Sequence, residues 1–394
     1  MINEKMYALG SQRSKIRELF EYGKTLAQKI GKDKVYDFTL GNPSVPCPDT
    51  VTDTIVDAVK NPMIHGYTSA QGTVEVRKAI CDYNYKRYGF NLSPDLTYMT
   101  CGAAAGLAIT LRALISNPND KVLTFAPFFP EYKVFTENAG GSLIYSKCDT
   151  STFDIDFDEL EKTMCDSVQA VIINSPNNPS GTVYSEESII KLAKFLSDKQ
   201  TEYGHAIYLI TDEPYREILF DGAVCPFIPN YYDNTVVCYS YSKALSLPGE
   251  RIGYVSVSPK AENAQKLYLA IAGAGRSLGY VCAPALFQKV VELCTDQVSD
   301  CSVYKDNRDL LVSYLQSLNF NCVNPKGAFY VFMKSPTENA EDFCDYAKTL
   351  GLLLVPSNSF GVEGFVRLAT CVSTDLIKRS LPAFTELAKH YNLI

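Results

Sequence analysis

The chain has 394 residues, 46% of them hydrophobic and 21% charged, with a formal net charge of -7. This is the make-up of a water-soluble globular protein, and the negative balance excludes the electrostatic footprint of a nucleic-acid or anionic-membrane binder. The length exceeds that at which single cores stop growing, so two domains are expected.

Thirteen cysteines are scattered singly, with no C-x-x-C pair, which argues against zinc or dithiol chemistry. Met1 to Lys34 carries charges throughout and shows no apolar signal region. Reduced thiols in a cytoplasmic protein are the expectation. No apolar run approaches the ~18 residues needed to cross a membrane. Only His65, His205 and His390 are present, so a triad or histidine-rich metal site has little to draw on and any proton shuttle uses another group. His205 opens an apolar run and reads as core packing.

Residues 12–31 carry Ile16, Leu19, Phe20, Leu26 and Ile30 at helical spacing, with Gly31 as the stop. Val35 to Leu40 reads as a short strand leading into the proline-rich loop Gly41–Pro48. Helices at about 50–60 and 73–88 flank His65–Gly72. Strand-like runs then follow at Leu96–Thr100, Lys121–Phe125, Gly141–Ser146, Ala170–Asn174, Ala206–Thr211 and Thr235–Tyr239. Helical runs at about 103–116, 130–138, 156–164 and 185–199 lie between most of them. This alternation predicts an α/β sheet with helices on both faces. Ile252–Val257 reads as an antiparallel strand, followed by helices over 260–272 and 282–316. Strands at Gly327–Met333, Leu352–Val355 and Phe365–Ala369, with helices over 339–350 and 374–391, read as a smaller α+β unit. The expected division is a large domain over 49–285 and a small one from 1–48 and 286–394.

Each polar cluster follows a predicted strand, where ligands bind in open α/β sheets. Ser240-Tyr241-Ser242-Lys243, with Arg251 eight residues on, groups hydroxyls, an amine and a guanidinium. These suit a ligand with both an aldehyde and a phosphate: lysine forms a Schiff base while Arg251, Ser240 and Ser242 hold phosphate oxygens. A solvated basic turn is the competing reading. Gly102-Ala103-Ala104 opens a helix and lets backbone N–H groups approach a phosphate, or is simply a strand-to-helix turn. One of Phe128 and Phe129 can lie against a flat heteroaromatic ring, although core packing is the commoner fate of phenylalanine. Asn174–Gly181 sets two asparagines between prolines, a pattern that turn chemistry also explains. Asp212, at the end of an apolar strand, calls for a partner. A protonated pyridine nitrogen suits it, with Tyr215 in reach of a ring hydroxyl; pairing with a helix N-terminus is the rival. Arg367, in an apolar strand, suits a substrate carboxylate, against an internal salt bridge.

Together these segments resemble the pyridoxal-phosphate-dependent aminotransferases of fold type I, class I/II, aspartate aminotransferase-like, from Gly41 to Arg367. The resemblance implies a large domain whose mostly parallel seven-stranded sheet is sandwiched by helices and binds pyridoxal 5'-phosphate. It implies amino-group transfer between an L-amino acid and a 2-oxo acid. Lys243 would carry the Schiff base and move the proton. Asp212 would keep the pyridine nitrogen protonated, making the ring an electron sink. Asn178 and Tyr215 would bond the ring's phenolic oxygen, Phe129 would stack on the ring, and Gly102, Ala103, Ala104, Ser240, Ser242 and Arg251 would hold the phosphate. Arg367, Asn178 and the backbone at Gly41 would receive the substrate α-carboxylate. Tyr67 would reach the phosphate of a neighbouring subunit, implying a homodimer with shared sites, and Asn178-Pro179 would be cis.

Two departures stand out. The Gly102–Ala105 turn lacks the hydroxyl that many members carry, and the stacking residue is phenylalanine rather than tryptophan. Arg276, in the glycine-rich stretch 273–280, reads as part of a flexible connection and a candidate reader of an aspartate or glutamate side chain; a surface or interface salt bridge competes. A β-lyase acting on cystathionine-type substrates would use the same cofactor and lysine. A cofactor-sensing transcription regulator would need a DNA-binding segment and a basic patch that the sequence does not offer.

Overall fold

The structure, a computed structural model, describes residues 2–11 and 15–394. It divides into two compact units: one holds the residues up to Ser44 with Ser302–Pro325 and Phe329–Ile394, the other Val45–Cys301 with Lys326–Ala328.

The larger unit is built on seven strands: β1 (Thr97–Thr100), β2 (Lys121–Phe125), β3 (Ser142–Ser146), β4 (Val168–Asn174), β5 (Tyr208–Asp212), β6 (Thr235–Ser240) and β7 (Gly253–Val257). Their spatial order is β1-β7-β6-β5-β4-β2-β3. β7 runs antiparallel to both β1 and β6, and the remaining pairs are parallel. β6 and β7 are buried along their whole length, as befits strands covered on both faces. One face packs Leu192 and Leu196 of helix Glu186–Tyr203 against Leu123, Val171 and Leu209. Farther along that face, Ile80 and Val290 pack with Val237 and Tyr239. The other face takes α1 (Ala103–Leu114), whose Gly106 allows close approach: a Cβ there would lie 2.7 Å from Val255 Cγ2.

The register brings the carboxyl ends to one edge. Asn174 is level with Asp212 and Asp212 with Cys238, while Ser240 is level with Gly253 and Gly253 with Thr100. Gly253 is required there, because a Cβ would sit 2.3 Å from the Tyr239 carbonyl and 3.0 Å from Gly102 Cα.

The smaller unit has a three-stranded antiparallel sheet of β8 (Tyr330–Lys334), β9 (Val355–Pro356) and β10 (Phe365–Ala369), in the order β9-β10-β8. Helices Ser302–Ser317, Ala340–Thr349 and Thr374–His390 bring Leu311, Phe343 and Phe384 into its core with Val331 and Val366.

Several expectations are corrected. The strand predicted over Val35–Leu40 shortens to Tyr36–Asp37, paired in parallel with Leu352–Leu353. The helix predicted over 282–316 is two, Ala285–Cys294 and Ser302–Ser317. The first of these buries Val290, Val291 and Cys294 in the core of the larger unit, so the boundary expected at 285/286 falls at 301/302. The N-terminal helix expected over 12–31 is described as Lys15–Ile30, residues 12–14 lying outside the described residues. Among the described residues no helix is long and apolar enough to cross a membrane.

Candidate active site

At the carboxyl edge, β6 ends in Ser240, whose Oγ accepts from Ser242 N at 3.2 Å and caps the one-turn helix Tyr241–Ala244. The same Oγ lies 2.7 Å from Ser242 Oγ. Lys243 stands half-buried on this turn, between the buried Ser242 and Ala244. The chain then doubles back through Ser246 and Arg251, both non-glycine residues at positive φ. That bend returns the guanidinium to the turn: Nη1 donates to Ser242 Oγ at 3.3 Å and to Pro248 O at 3.0 Å, and Nη2 to Cys101 O at 3.3 Å.

The Cys101 contact joins this group to the start of α1. Gly102 is the N-cap residue, at φ 84°, and a Cβ on it would meet Arg251 Nη2 at 2.7 Å. Ala103 is buried and Ala104 half-buried behind it. Two hydroxyls, a guanidinium and the N-terminus of a 12-residue helix are thus brought together, a set of donors whose chemistry suits an anion.

Asp212 closes β5 and is 5% exposed. Its carbonyl accepts from Asn174 Nδ2 at 2.8 Å, tying two strand ends together. Its Oδ2 accepts from Tyr132 Oη at 2.7 Å, whereas Oδ1 is buried with no hydrogen-bond partner. Burial drives the carboxyl pKa up to about 7; the Tyr132 hydrogen bond opposes the rise and Glu213 adds to it. A buried acceptor left unpaired costs about 1–3 kcal/mol, so Oδ1 marks a place for a donor.

The segment after Asp212 is fixed by a buried ion network. Glu213 accepts from Thr211 Oγ1 at 2.8 Å and from Arg216 Nη1 at 2.7 Å; Arg216 Nε also donates to Glu217 at 3.3 Å. The guanidinium lies 4.4 Å from the Tyr239 ring centroid and 5.1 Å from that of Tyr88. Tyr215 is held buried within this segment.

In the Asn174–Gly181 loop the two asparagines do different work. Asn177 Oδ1 accepts from Ser180 N at 3.0 Å and Ser180 Oγ at 2.8 Å, folding the loop on itself. Asn178 has its backbone N–H anchored on Asn174 Oδ1 at 2.7 Å. Asn178-Pro179 is cis, as are Ser175-Pro176 and Ala126-Pro127. Of the two phenylalanines, Phe128 is buried against Tyr145, and Phe129 is half-buried and meets Tyr132 edge-on at 5.7 Å.

The larger unit thus gathers Gly102, Ala103, Ala104, Phe129, Asn178, Asp212, Tyr215, Ser240, Ser242, Lys243 and Arg251 at or just beyond one sheet edge. Tyr67 belongs to the same unit but is 89% exposed. Gly41 and Arg367 belong to the smaller unit and share Tyr330. A Cβ at Gly41 would lie 1.9 Å from Tyr330 Oη. The Arg367 guanidinium lies 4.6 Å from the Tyr330 ring centroid and donates through Nη2 to Thr39 O at 2.5 Å. Arg276 occupies the last turn of helix Ala264–Ser277, exposed, rather than a flexible connection. Among the described residues no cluster of histidine, cysteine, aspartate and glutamate could hold a metal ion.

Tyr132 escaped the sequence reading. Its signal was positional: it sits in the first turn of the helix Glu131–Ala139 that opens beyond β2, where a side chain reaches back to the neighbouring strand ends.

The family model described as Aminotransferase class I and II matches residues 33–384. An aspartate aminotransferase of Thermotoga maritima is 28% identical over 372 residues, covering 93% of this chain and 94% of the relative. An LL-diaminopimelate aminotransferase of Halothermothrix orenii is 30% identical, covering 90% and 91%. The crystal structure of an aminotransferase from Eubacterium rectale superposes with a TM-score of 0.98 at 52% identity, over 100% of this chain and 99% of that one. The fold is also that of the aspartate aminotransferase of Thermus thermophilus, with a TM-score of 0.87 at 23% identity over 98% and 99% of the two chains. From the family match and the shared fold it follows that this chain belongs to the class I and II aminotransferases, as a transaminase that uses pyridoxal 5'-phosphate.

Proposed function

We propose that Lys243 is the amine that holds the cofactor aldehyde and then carries the proton during transfer, and that Asp212 pairs with the ring nitrogen. The observation that carries this reading is the buried Asp212 Oδ1 without a partner, on the same sheet edge as the turn bearing Lys243. The cofactor fits the residues present. Its ring N–H would satisfy the orphaned carboxylate oxygen, and its phosphate suits the concavity formed by Ser240, Ser242, Arg251 and the Gly102–Ala104 backbone. Phe129, the half-buried ring beside Tyr132, supplies a face for the heterocycle. Asn178 and Tyr215 supply polar contacts for its hydroxyl. When bound, the cofactor acts as an electron sink for charge developing at the substrate Cα.

The chain's own part is positional and protonic. Lys243 stands on a capped turn with buried neighbours, so its amine is presented from a fixed base. In the smaller unit, we propose Arg367 as receiver of a substrate carboxylate, its guanidinium oriented by the Thr39 carbonyl and the Tyr330 ring. Gly41, in the same unit, assists as a backbone donor.

For the substrate pair we propose a dicarboxylic amino acid of the aspartate or glutamate type, by similarity to the aspartate aminotransferases of Thermotoga maritima, Sulfolobus acidocaldarius and Pyrococcus horikoshii. A half-reaction screen tests it: the protein loaded with cofactor is mixed with each amino acid in turn, and loss of cofactor absorbance names the donor. Aspartate or glutamate giving the fastest loss is the expected result. Pyruvate released from cystathionine without amino transfer to 2-oxoglutarate would contradict it. Arg276→Ala is expected to lower kcat/KM for dicarboxylic donors by about 10²-fold while sparing monocarboxylic ones, the cost of one charge-assisted contact. An unchanged ratio would remove Arg276 from substrate recognition.

We further propose a homodimer, on the exposed Met63 (77%) and Tyr67 (89%) that line a groove of about 450 Å³ with Ile64. Light scattering should report twice the chain mass at micromolar concentration; a monomer there would contradict it. We propose a reducing cytoplasmic setting, on thirteen cysteines scattered singly without a C-x-x-C pair, which recovery of disulfide-linked protein from cells would contradict.

A further inference from the structure

The carboxylate of Asp212 is asymmetric. Oδ2 is engaged by the Tyr132 hydroxyl at 2.7 Å, Oδ1 has no partner, and the Asp212 carbonyl is separately tied to Asn174. A carboxylate hinged at Cβ can rotate its two oxygens through equivalent positions. One hydrogen bond from a rigid phenol removes that freedom and leaves a single oxygen to receive the cofactor. Tyr132 is itself wholly buried, and Phe129 lies edge-on against it at 5.7 Å.

We propose that Tyr132 is a positioning residue for the cofactor: by donating to Asp212 Oδ2 it fixes the carboxylate plane, presents Oδ1 to the ring nitrogen and favours the ionised form of Asp212. This rests on the assignment of Asp212 as partner of that nitrogen. The phenol suits the task because it stays a donor: burial, and then Asp212, hold its pKa well above the ordinary value. The other groups around Asp212 are occupied or neutral. Glu213 is bound by Thr211 and Arg216. Cys238 on β6 is held a thiol by burial and by Asp212. Tyr215 follows on the same segment, and Lys243 enters from the turn after β6.

Cofactor affinity must then depend on pH. The ring nitrogen brings its own proton, so it needs Asp212 ionised, and the Tyr132 bond sets the pH at which that happens. Pyridoxal 5'-phosphate is titrated into cofactor-free protein between about pH 6 and 9, following Kd by fluorescence quenching. The native protein is expected to bind progressively more weakly below about pH 7. In Tyr132→Phe, Kd at neutral pH should rise about tenfold and the midpoint should move up by about one pH unit, the worth of one hydrogen bond to a charged group. In an Asp212→Asn background the same change should alter Kd less than about twofold. A near-isosteric replacement, Tyr132→3-fluorotyrosine, keeps the packing and makes the phenol a stronger acid; it should move the midpoint the opposite way, downward.

An unmoved midpoint in Tyr132→Phe, a shift of the same sign in both variants, or full additivity with Asp212→Asn would overturn the positioning role while leaving the assignment of Asp212 intact. Native protein that binds no cofactor at any pH would overturn that assignment, and this inference with it.

Discussion

Lys243→Ala is expected to lower kcat for amino-group transfer by at least about 10⁴-fold, the upper range for one positioned proton-transfer group, before counting the lost covalent attachment. The fold should survive. Lys243 is half-buried on a one-turn helix, and the strong constraints there belong to its neighbours: the Ser240 cap, buried Ser242 and Ala244, and the Arg251 guanidinium bound to Cys101 and Pro248. Thermal melting within about 1 kcal/mol of the native protein, with phosphate-anchored cofactor still retained, is therefore part of the expectation. A variant that kept more than about a hundredth of native kcat would assign the proton transfer to another group.

Asp212→Asn carries the second large effect, with two separate signatures. With cofactor present, the substitution removes the negative partner of a buried ring N–H⁺. Breaking a buried charge pair costs about 3–5 kcal/mol, so kcat/KM should fall by about 10²–10⁴-fold. In the cofactor-free protein the sign reverses. The folded pKa of Asp212 is raised from 3.8 to about 7 by burial. The protonated form is therefore the one that folding favours, and its contribution is fully present below the unfolded value of 3.8. That contribution is lost as pH rises through about 7, a decline of about 4 kcal/mol attributable to this one group. An asparagine at this position cannot ionise, so the variant should lose that segment of the pH–stability curve and be the more stable apoprotein at about pH 8. Urea melts of cofactor-free protein at about pH 5 and pH 8 measure about 3 kcal/mol of that decline. Parallel curves for the two proteins would mean that Asp212 is not buried as a lone carboxylate.

The residue pattern made the sheet legible because each parallel strand is a short apolar run stopped by polar or glycine residues. All five parallel runs from Lys121 to Ser240 were located to within about two residues, along with the antiparallel return at Gly253–Val257. The polar residues that stop these runs are the site, so the strand ends and the candidate residues came from the same signal. What stayed hidden depends on contacts between residues far apart in the chain. Tyr132 and Asp212 are 80 positions apart. The Arg216 network draws its rings from Tyr88, Phe227 and Tyr239. Lys326–Ala328 joins the larger unit because Lys326 and Gly327 both donate to Gly181 O at 3.0 Å and Gly327 lies against Pro176. No local periodicity announces such a return. Arg276 misled for the converse reason. Gly273, Gly275 and Gly279 look like flexibility, yet Gly275 is the residue that lets the helix pass over Tyr98, where a Cβ would meet Oη at 2.8 Å.

Everything proposed for the site depends on which amine holds the cofactor. Protein loaded with pyridoxal 5'-phosphate is reduced with borohydride and digested, and the labelled peptide is sequenced. The result predicted is one pyridoxyl group per chain, on the peptide bearing Ser240-Tyr241-Ser242-Lys243. A label on any other lysine, or a loaded protein that borohydride leaves unmodified, would contradict it.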